Sequence, residues 1–303
     1  MDAIEIQGVT KTFGDLAAVD DLSLTVPQGA VYGFIGPNGS GKTTTMRMIV
    51  NIFYPDRGTI RVFGQELRAG RSGEIGYLPE ERGLYRRMEV RSLLQFHGEL
   101  RGGRKVTEEV DHWLLRLDLL QCATQRVETL SKGMSQKVQF IAAVVPEPKL
   151  LILDEPFTGL DPVSVDVIRT AILELRRRGA TVILSTHDMS VAESLCDYIL
   201  MIHRGRKVLD GTLDSIQQQY GSDTIRVSAA GGFDDLPGVE KVRDLGQVQE
   251  LRMAQGCDPQ EVLRALVART RVTSFSVTKP SLHDIFVRIA GPEAPETMEA
   301  RHE

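Results

Sequence analysis

Apolar residues fall along this chain in distinct rhythms. VYGFIG (31–36), LLILDEP (150–156), VILSTH (182–187) and YILMIHRG (198–205) are largely continuous apolar runs of strand length. Strands without alternation are buried on both faces, which predicts a mostly parallel sheet covered by helices. TTTMRMIVNIF (43–53) predicts a helix directly after the first of them. IEIQGVTKTFG (4–14) and DLSLTVPQG (21–29) instead alternate and carry turn residues, which predicts an antiparallel subsheet. Between about residues 88 and 145 the rhythm becomes helical. VRSLLQFHGEL (90–100) and EEVDHWLLRLDLL (108–120) space apolar residues by three and four, as a helical insertion between two core strands would.

After about Tyr220 the pattern changes again. Residues 223–253 are strand-and-turn material, and DPQEVLRALVART (258–270) predicts a helix with Asp258 as its cap and Pro259 at its first position. RVTSFSVTKPSLHDIFVRIAG (271–291) adds a strand and a short helix. The expected organisation is an α/β domain over 1–220, a small α/β domain over 223–289, and a Pro/Glu-rich disordered tail over 290–303.

Composition narrows the classes. The net charge of -5 argues against a general nucleic-acid binder. No apolar run reaches the ~18 residues of a membrane span, and MDAIEIQGVTKTFG lacks a signal-peptide core. The chain is therefore expected in the cytoplasm unless a partner holds it at a membrane. Cys122, Cys196 and Cys257 are scattered and odd in number, which suggests buried thiols rather than disulfides or a zinc site.

GPNGSGKTT (36–44) fits the pattern G-x-x-x-x-G-K-[ST] between a strand and a helix. Gly36, Gly39 and Gly41 let the backbone of this loop, which also holds Pro37, Asn38, Ser40 and Thr44, curl so that its N–H groups point inward and cradle phosphate oxygens. The helix N-terminus adds partial positive charge. Lys42 is placed to neutralise the outer phosphates, and Thr43 to offer a hydroxyl to Mg²⁺. LLILDEP puts Asp154 at the end of a buried strand, suited to Mg²⁺, and Glu155 beside it, suited to polarise an attacking water. LSKGMSQKVQF (130–140) raises a separate question, because it starts a helix with a glycine, Gly133.

With these stretches in order, residues 1 to about 220 resemble the ATP-binding subunit of an ABC transporter. GPNGSGKTT matches the family's Walker A motif, LLILDEP its Walker B, LSKGM its signature, TGLD (158–161) its D-loop, His187 its switch histidine, and Phe13 its adenine-stacking aromatic. The resemblance implies a P-loop ATPase fold, ATP and Mg²⁺ as ligands, and a head-to-tail homodimer. Ser131 and Gly133 of one chain would then meet the ATP on the other chain's loop, beside Asp161. Glu155 would be the base, and His187 would contact the γ-phosphate. Lys132 and Met134 replace the usual Gly and Gln of the signature. Glu80, in GYLPEERGLY (76–85), stands where the family has a metal-contacting Gln. GYLPEERGLY, LSKGMSQKVQF and PSLHDIFVRIAG (280–291) together are similar to ATPases of drug-resistance and sodium-export systems. Those pair with ABC-2 type permeases, which implies a peripheral place on the cytoplasmic face of the membrane. Arg82, Tyr85, Arg86 and Arg87 are candidate permease contacts. The alternatives are a non-transport ABC ATPase of DNA repair or translation, an importer ATPase, or an idle nucleotide binder.

Overall fold

The computed structural model describes residues 1–66, 74–81, 83–102, 105–220, 224–231, 233–254 and 256–290. Arg82, Asp223 and the tail from residue 291 lie outside the described residues. The chain divides into two compact units, Met1–Thr212 and Leu213–Glu303.

The first unit opens with β1 (Asp2–Phe13) and β2 (Leu16–Pro27), a long hairpin whose tight turn uses Gly14 at φ 58°. Then come β3 (Val31–Ile35), α1 (Lys42–Ile49), β4 (Arg57–Val62), β5 (Gln65–Glu66) and β6 (Ile75–Leu78). The helical insertion holds α2 (Val90–Gly102), α3 (Thr107–Arg116) and α4 (Lys132–Val144). The unit closes with β7 (Leu150–Asp154), α5 (Pro162–Arg177), β8 (Thr181–Thr186), α6 (Met189–Leu195), β9 (Tyr198–His203) and β10 (Arg206–Thr212).

One sheet has the order β10-β9-β3-β8-β7-β6 and is parallel except for the β10 edge. The other, β2-β1-β4-β5, is antiparallel throughout. Period-two alternation sends neighbouring residues of a strand to opposite faces. Leu151, Leu153, Val182 and Leu184 join a core with the helices of the insertion and α5. Leu150, Ile152 and Ile183 join a second core with α1 and the antiparallel sheet. The apolar runs are continuous because both faces are covered.

Two expected helices end early. The helix expected over 43–53 stops at Ile49, and Asn51 takes a left-handed φ of 62°. The helix expected through Leu120 stops at Arg116, with Asp118 at φ 56°. Asn and Asp accept this conformation more readily than other side chains, and it breaks the helical ladder. Strands β4 and β10 were not marked by apolar runs, since their polar residues face outward.

The second unit holds α7 (Leu213–Gln219), β11 (Thr224–Ala229), β12 (Val239–Asp244), β13 (Gln249–Met253), α8 (Pro259–Arg269), β14 (Val272–Thr278) and α9 (Leu282–Ala290). Its antiparallel sheet, β12-β13-β11-β14, has its own core of Ile225, Val227, Leu251, Val262 and Leu266. Asp258 caps α8 by accepting from Gln260 N–H, and Pro259 follows it, as the sequence pattern predicts.

Gly76 on β6 shows how closely the insertion packs on the sheet. A Cβ there would lie 2.3 Å from the Ala143 carbonyl oxygen of α4. Gly76→Ala is therefore expected to destabilise the first unit by ~2 kcal/mol, typical of an overpacked core. Thermal or urea unfolding measures this, and Gly83→Ala, whose Cβ would meet nothing within 4 Å and whose φ is not left-handed, controls for the loss of a glycine.

Candidate functional site

Parallel register brings three strand ends to one edge of the central sheet. Ile35 on β3 pairs with Thr186 on β8, and Ser185 on β8 pairs with Asp154 on β7. The loop 36–41 leaves β3 at this edge and runs into α1. The chain needs glycine there for two reasons. Gly36 and Gly41 sit at φ 147° and 107°, and their Cβ atoms would fall 2.2 Å from Ile202 O and 2.4 Å from Ala18 O. Gly39 has open space around it, and its φ of 77° alone favours glycine. Gly205 N–H donates to Ser40 O, tying the loop to the β9–β10 turn. The Ser40 hydroxyl oxygen is buried without a partner. Pro37 is half-buried, Asn38 is exposed, and Thr44 is half-buried in the first turn of α1.

Lys42 folds back over this loop. Its ammonium donates to Gly36 O at 2.7 Å and to Pro37 O at 3.0 Å. Burial lowers its pKa, while the charges of Glu155, Asp154 and Glu80 pull it back up. These three carboxylates therefore act electrostatically on the loop lysine.

Asp154 is completely buried. Its Oδ1 accepts from Ser185 Oγ at 2.5 Å and from Thr43 Oγ1 at 3.2 Å, and its Oδ2 has no partner. Ser185 works in both directions, because its oxygen also accepts from Glu155 N–H at 2.9 Å. Glu155 has a left-handed φ of 50°, an unfavourable conformation for a non-glycine residue that concentrates at functional sites. Its carboxylate meets His187 Nδ1 at 3.0 Å and Thr158 Oγ1 at 3.4 Å. Glu80 is exposed on the loop after β6. Among the described residues no group of three or more His, Cys, Asp or Glu is placed to hold a metal alone.

Phe13 ends β1 with 45% of its surface exposed, its ring edge-on to Phe53 at 5.4 Å. Asp56 fixes that strand end. It accepts from Lys11 Nζ at 2.8 Å and from Thr12 N–H and Oγ1, both at 2.7 Å, and these bonds lower its pKa to about 2.

Ser131 and Gly133 stand apart from this cluster. Ser131 caps α4 by accepting from Met134 N–H and is exposed. A Cβ on Gly133 would meet only Leu160 Cδ2 within 4 Å, at an ordinary 3.6 Å, and Gly133 has no left-handed φ. Nothing inside the chain requires glycine at 133. Asp161 caps α5, accepting from Ser164 N–H at 3.0 Å and Ser164 Oγ at 2.6 Å, and these bonds lower its pKa.

Residues 19–158 match the family model described as ABC transporter. An ABC transporter ATP-binding protein of Bacillus subtilis, YhaQ, is 38% identical over 95% of this chain and 98% of its own length. The chain belongs to the ABC transporter ATP-binding family. Residues 211–290 match the DrrA1-3-like C-terminal domain of ATP-binding proteins. The Nod factor export ATP-binding protein I of Sinorhizobium fredii is 35% identical over 96% of this chain and 87% of its own length. A solved ATP-binding subunit of an ABC transporter superposes with a TM-score of 0.67 at 32% identity, over 72% of this chain and 93% of that one. The P-loop ATPase fold expected from the sequence is thus present, and this ABC protein is an ATP-binding ATPase.

The sequence did not point to Ser185, Thr158, Gln136 or Gln139. A signal existed for three of them. Ser185 interrupts the apolar strand VILST, and Gln136 and Gln139 lie three apart on the buried face of α4. Ser185→Ala would leave a buried carboxylate oxygen and the Glu155 N–H without their shared partner. The expected cost is ~1–3 kcal/mol of unfolding free energy. Urea unfolding measures it, and Ser190→Ala at an exposed position serves as the control.

Proposed function

We propose that this ABC ATPase powers export through a separate ABC-2 type permease, working as a head-to-tail homodimer on the cytoplasmic face of the membrane. The observation that carries the reading is the split of the motifs within one chain. The loop 36–44, Asp154, Glu155 and His187 converge on one sheet edge, whereas Ser131 sits exposed and Gly133 half-buried at the start of α4. A signature that its own chain gives no ligand, and a glycine that its own chain does not need, fit a surface made for the partner's ATP.

Each residue then has a role. Backbone N–H groups of residues 36–44 and Lys42 hold the phosphates, and Phe13 stacks on the base. The bonds of Asp56 keep that aromatic at the strand end. Glu155 takes the proton of a water as its oxygen bonds to the γ-phosphorus and the bond to the β–γ bridging oxygen breaks. His187 orients Glu155 and faces the γ-phosphate. Asp161 lies beside the partner's signature.

The donor set suits Mg²⁺. Asp154 has a buried, unpartnered oxygen, and Thr43 has a hydroxyl next to it. Mg²⁺ usually completes its shell with waters and substrate phosphates rather than with an all-protein cage. Thr43, Asp154 and Glu80 are the residues that would hold it. When bound, it would neutralise charge on the outer phosphates.

Three features support a membrane partner. Among the described residues no helix is long and apolar enough to cross a membrane. Tyr85 and Phe96 form an exposed aromatic pair at 6.0 Å, beside exposed Arg86 and Arg87. Relatives named for export match nearly the whole chain, including the C-terminal unit. That unit is an accessory domain of the same subunit.

Glu155→Gln should keep ATP binding, lower hydrolysis by ~10²–10⁴, and convert monomer to dimer when MgATP is added. Lys42→Ala should lose both hydrolysis and that shift. Solution mass with and without MgATP, together with phosphate release, checks both. Hydrolysis by Glu155→Gln at the unmodified rate would remove Glu155 as the base.

A further inference from the structure

α4 carries two buried polar side chains on an otherwise apolar face. Gln136 and Gln139 are three residues apart, so they lie on the same side of the helix. The Gln136 Nε2 donates to Pro156 O at 3.2 Å, the residue after Glu155. The Gln139 Nε2 donates to two carbonyl oxygens, Pro79 O at 3.0 Å and Glu81 O at 3.3 Å. Those carbonyls flank Glu80. Both partners are acceptors, so the amide nitrogen, not its oxygen, must face them. The amide has two hydrogens, one for each carbonyl.

The other end of this amide is costly. Gln139 Oε1 is buried with no partner. An unsatisfied buried acceptor destabilises the fold, and an apolar side chain of the same shape would avoid it. The donors therefore account for a glutamine here. Among the described residues, no backbone hydrogen bond outside the strand ladders involves residues 79–81. The same face of α4 packs on β6, which leads into this loop. α4 begins at Ser131, Lys132 and Gly133, so one rigid helix carries the signature at its start and grips the Glu80 loop in its second half.

We propose that Gln139 is a positioning residue for Glu80, clamping the loop 79–81 to α4 so that this loop and the signature move as one body. A change at Glu80 on one nucleotide would thereby shift Ser131 and Gly133 on the other. The inference rests on the roles given to Glu80 and the signature under Proposed function.

A double-mutant cycle on the full chain tests it, with Gln139→Met, Glu80→Ala and the pair. Gln139→Leu is made alongside, so that a folding fault in one variant does not decide the matter. Gln139→Met should melt no lower than the unmodified protein. It should cut kcat by ~10-fold at unchanged KM for ATP, a coupling of the size seen between contacting residues. In the Glu80→Ala background the same substitution should have no further effect. A Glu80→Ala chain as active as the unmodified one would overturn the role of Glu80 itself. With Glu80→Ala impaired, an equal loss from Gln139→Met in both backgrounds would overturn the clamp alone.

Discussion

The Asp154 carboxylate is buried at the end of an apolar strand, and the candidate site is arranged around it. An isolated charge in such a place is strongly unfavourable, so its surroundings must compensate. Ser185 and Thr43 donate to one oxygen, and Lys42 feels the charge through a low-dielectric site. Each partner lies on a different element. The hydroxyl of Ser185 requires β8 to pair with β7 in one register only. That of Thr43 requires α1 to start where the phosphate loop ends. The glycines at 36 and 41 permit that start, because backbone carbonyls from Ile202 and Ala18 fill the space a side chain would need. One buried carboxylate thus ties together sheet register, loop shape and lysine placement, and leaves one of its own oxygens without a partner.

The parts of this arrangement that are local in sequence were legible. The phosphate loop is a contiguous pattern, and the strand carrying Asp154 is a contiguous apolar run. The parallel core followed from the lack of alternation in four strands. What the sequence left out is set by contacts between distant segments. Ser185 matters because β7 and β8 pair, and Gln139 because α4 lies across the loop after β6. Helix ends were missed at Ile49 and Arg116 because left-handed Asn51 and Asp118 stop them, and apolar spacing carries no mark of φ.

Gly133 is the residue at which a single chain explains least. It has ordinary backbone angles and room for a methyl group, yet it occupies a helix start where alanine would be more stable by up to ~1 kcal/mol. Beside it the Ser131 hydroxyl makes only a capping bond. The proposed second copy presenting ATP would supply a reason for both from outside the chain. The clamp from Gln139 would then let each site report its state to the other through α4.

The most direct test of a site shared between two chains is complementation. One chain carries Glu155→Gln with Lys42→Ala, which disables its phosphate loop. The other carries Glu155→Gln with Gly133→Arg, which blocks its signature. Each alone should retain no ATP after gel filtration with MgATP. An equal mixture should retain one ATP per pair of chains, held by the intact loop of one and the intact signature of the other. Retention by the Gly133→Arg chain alone, equal to that of the Glu155→Gln parent, would contradict the account.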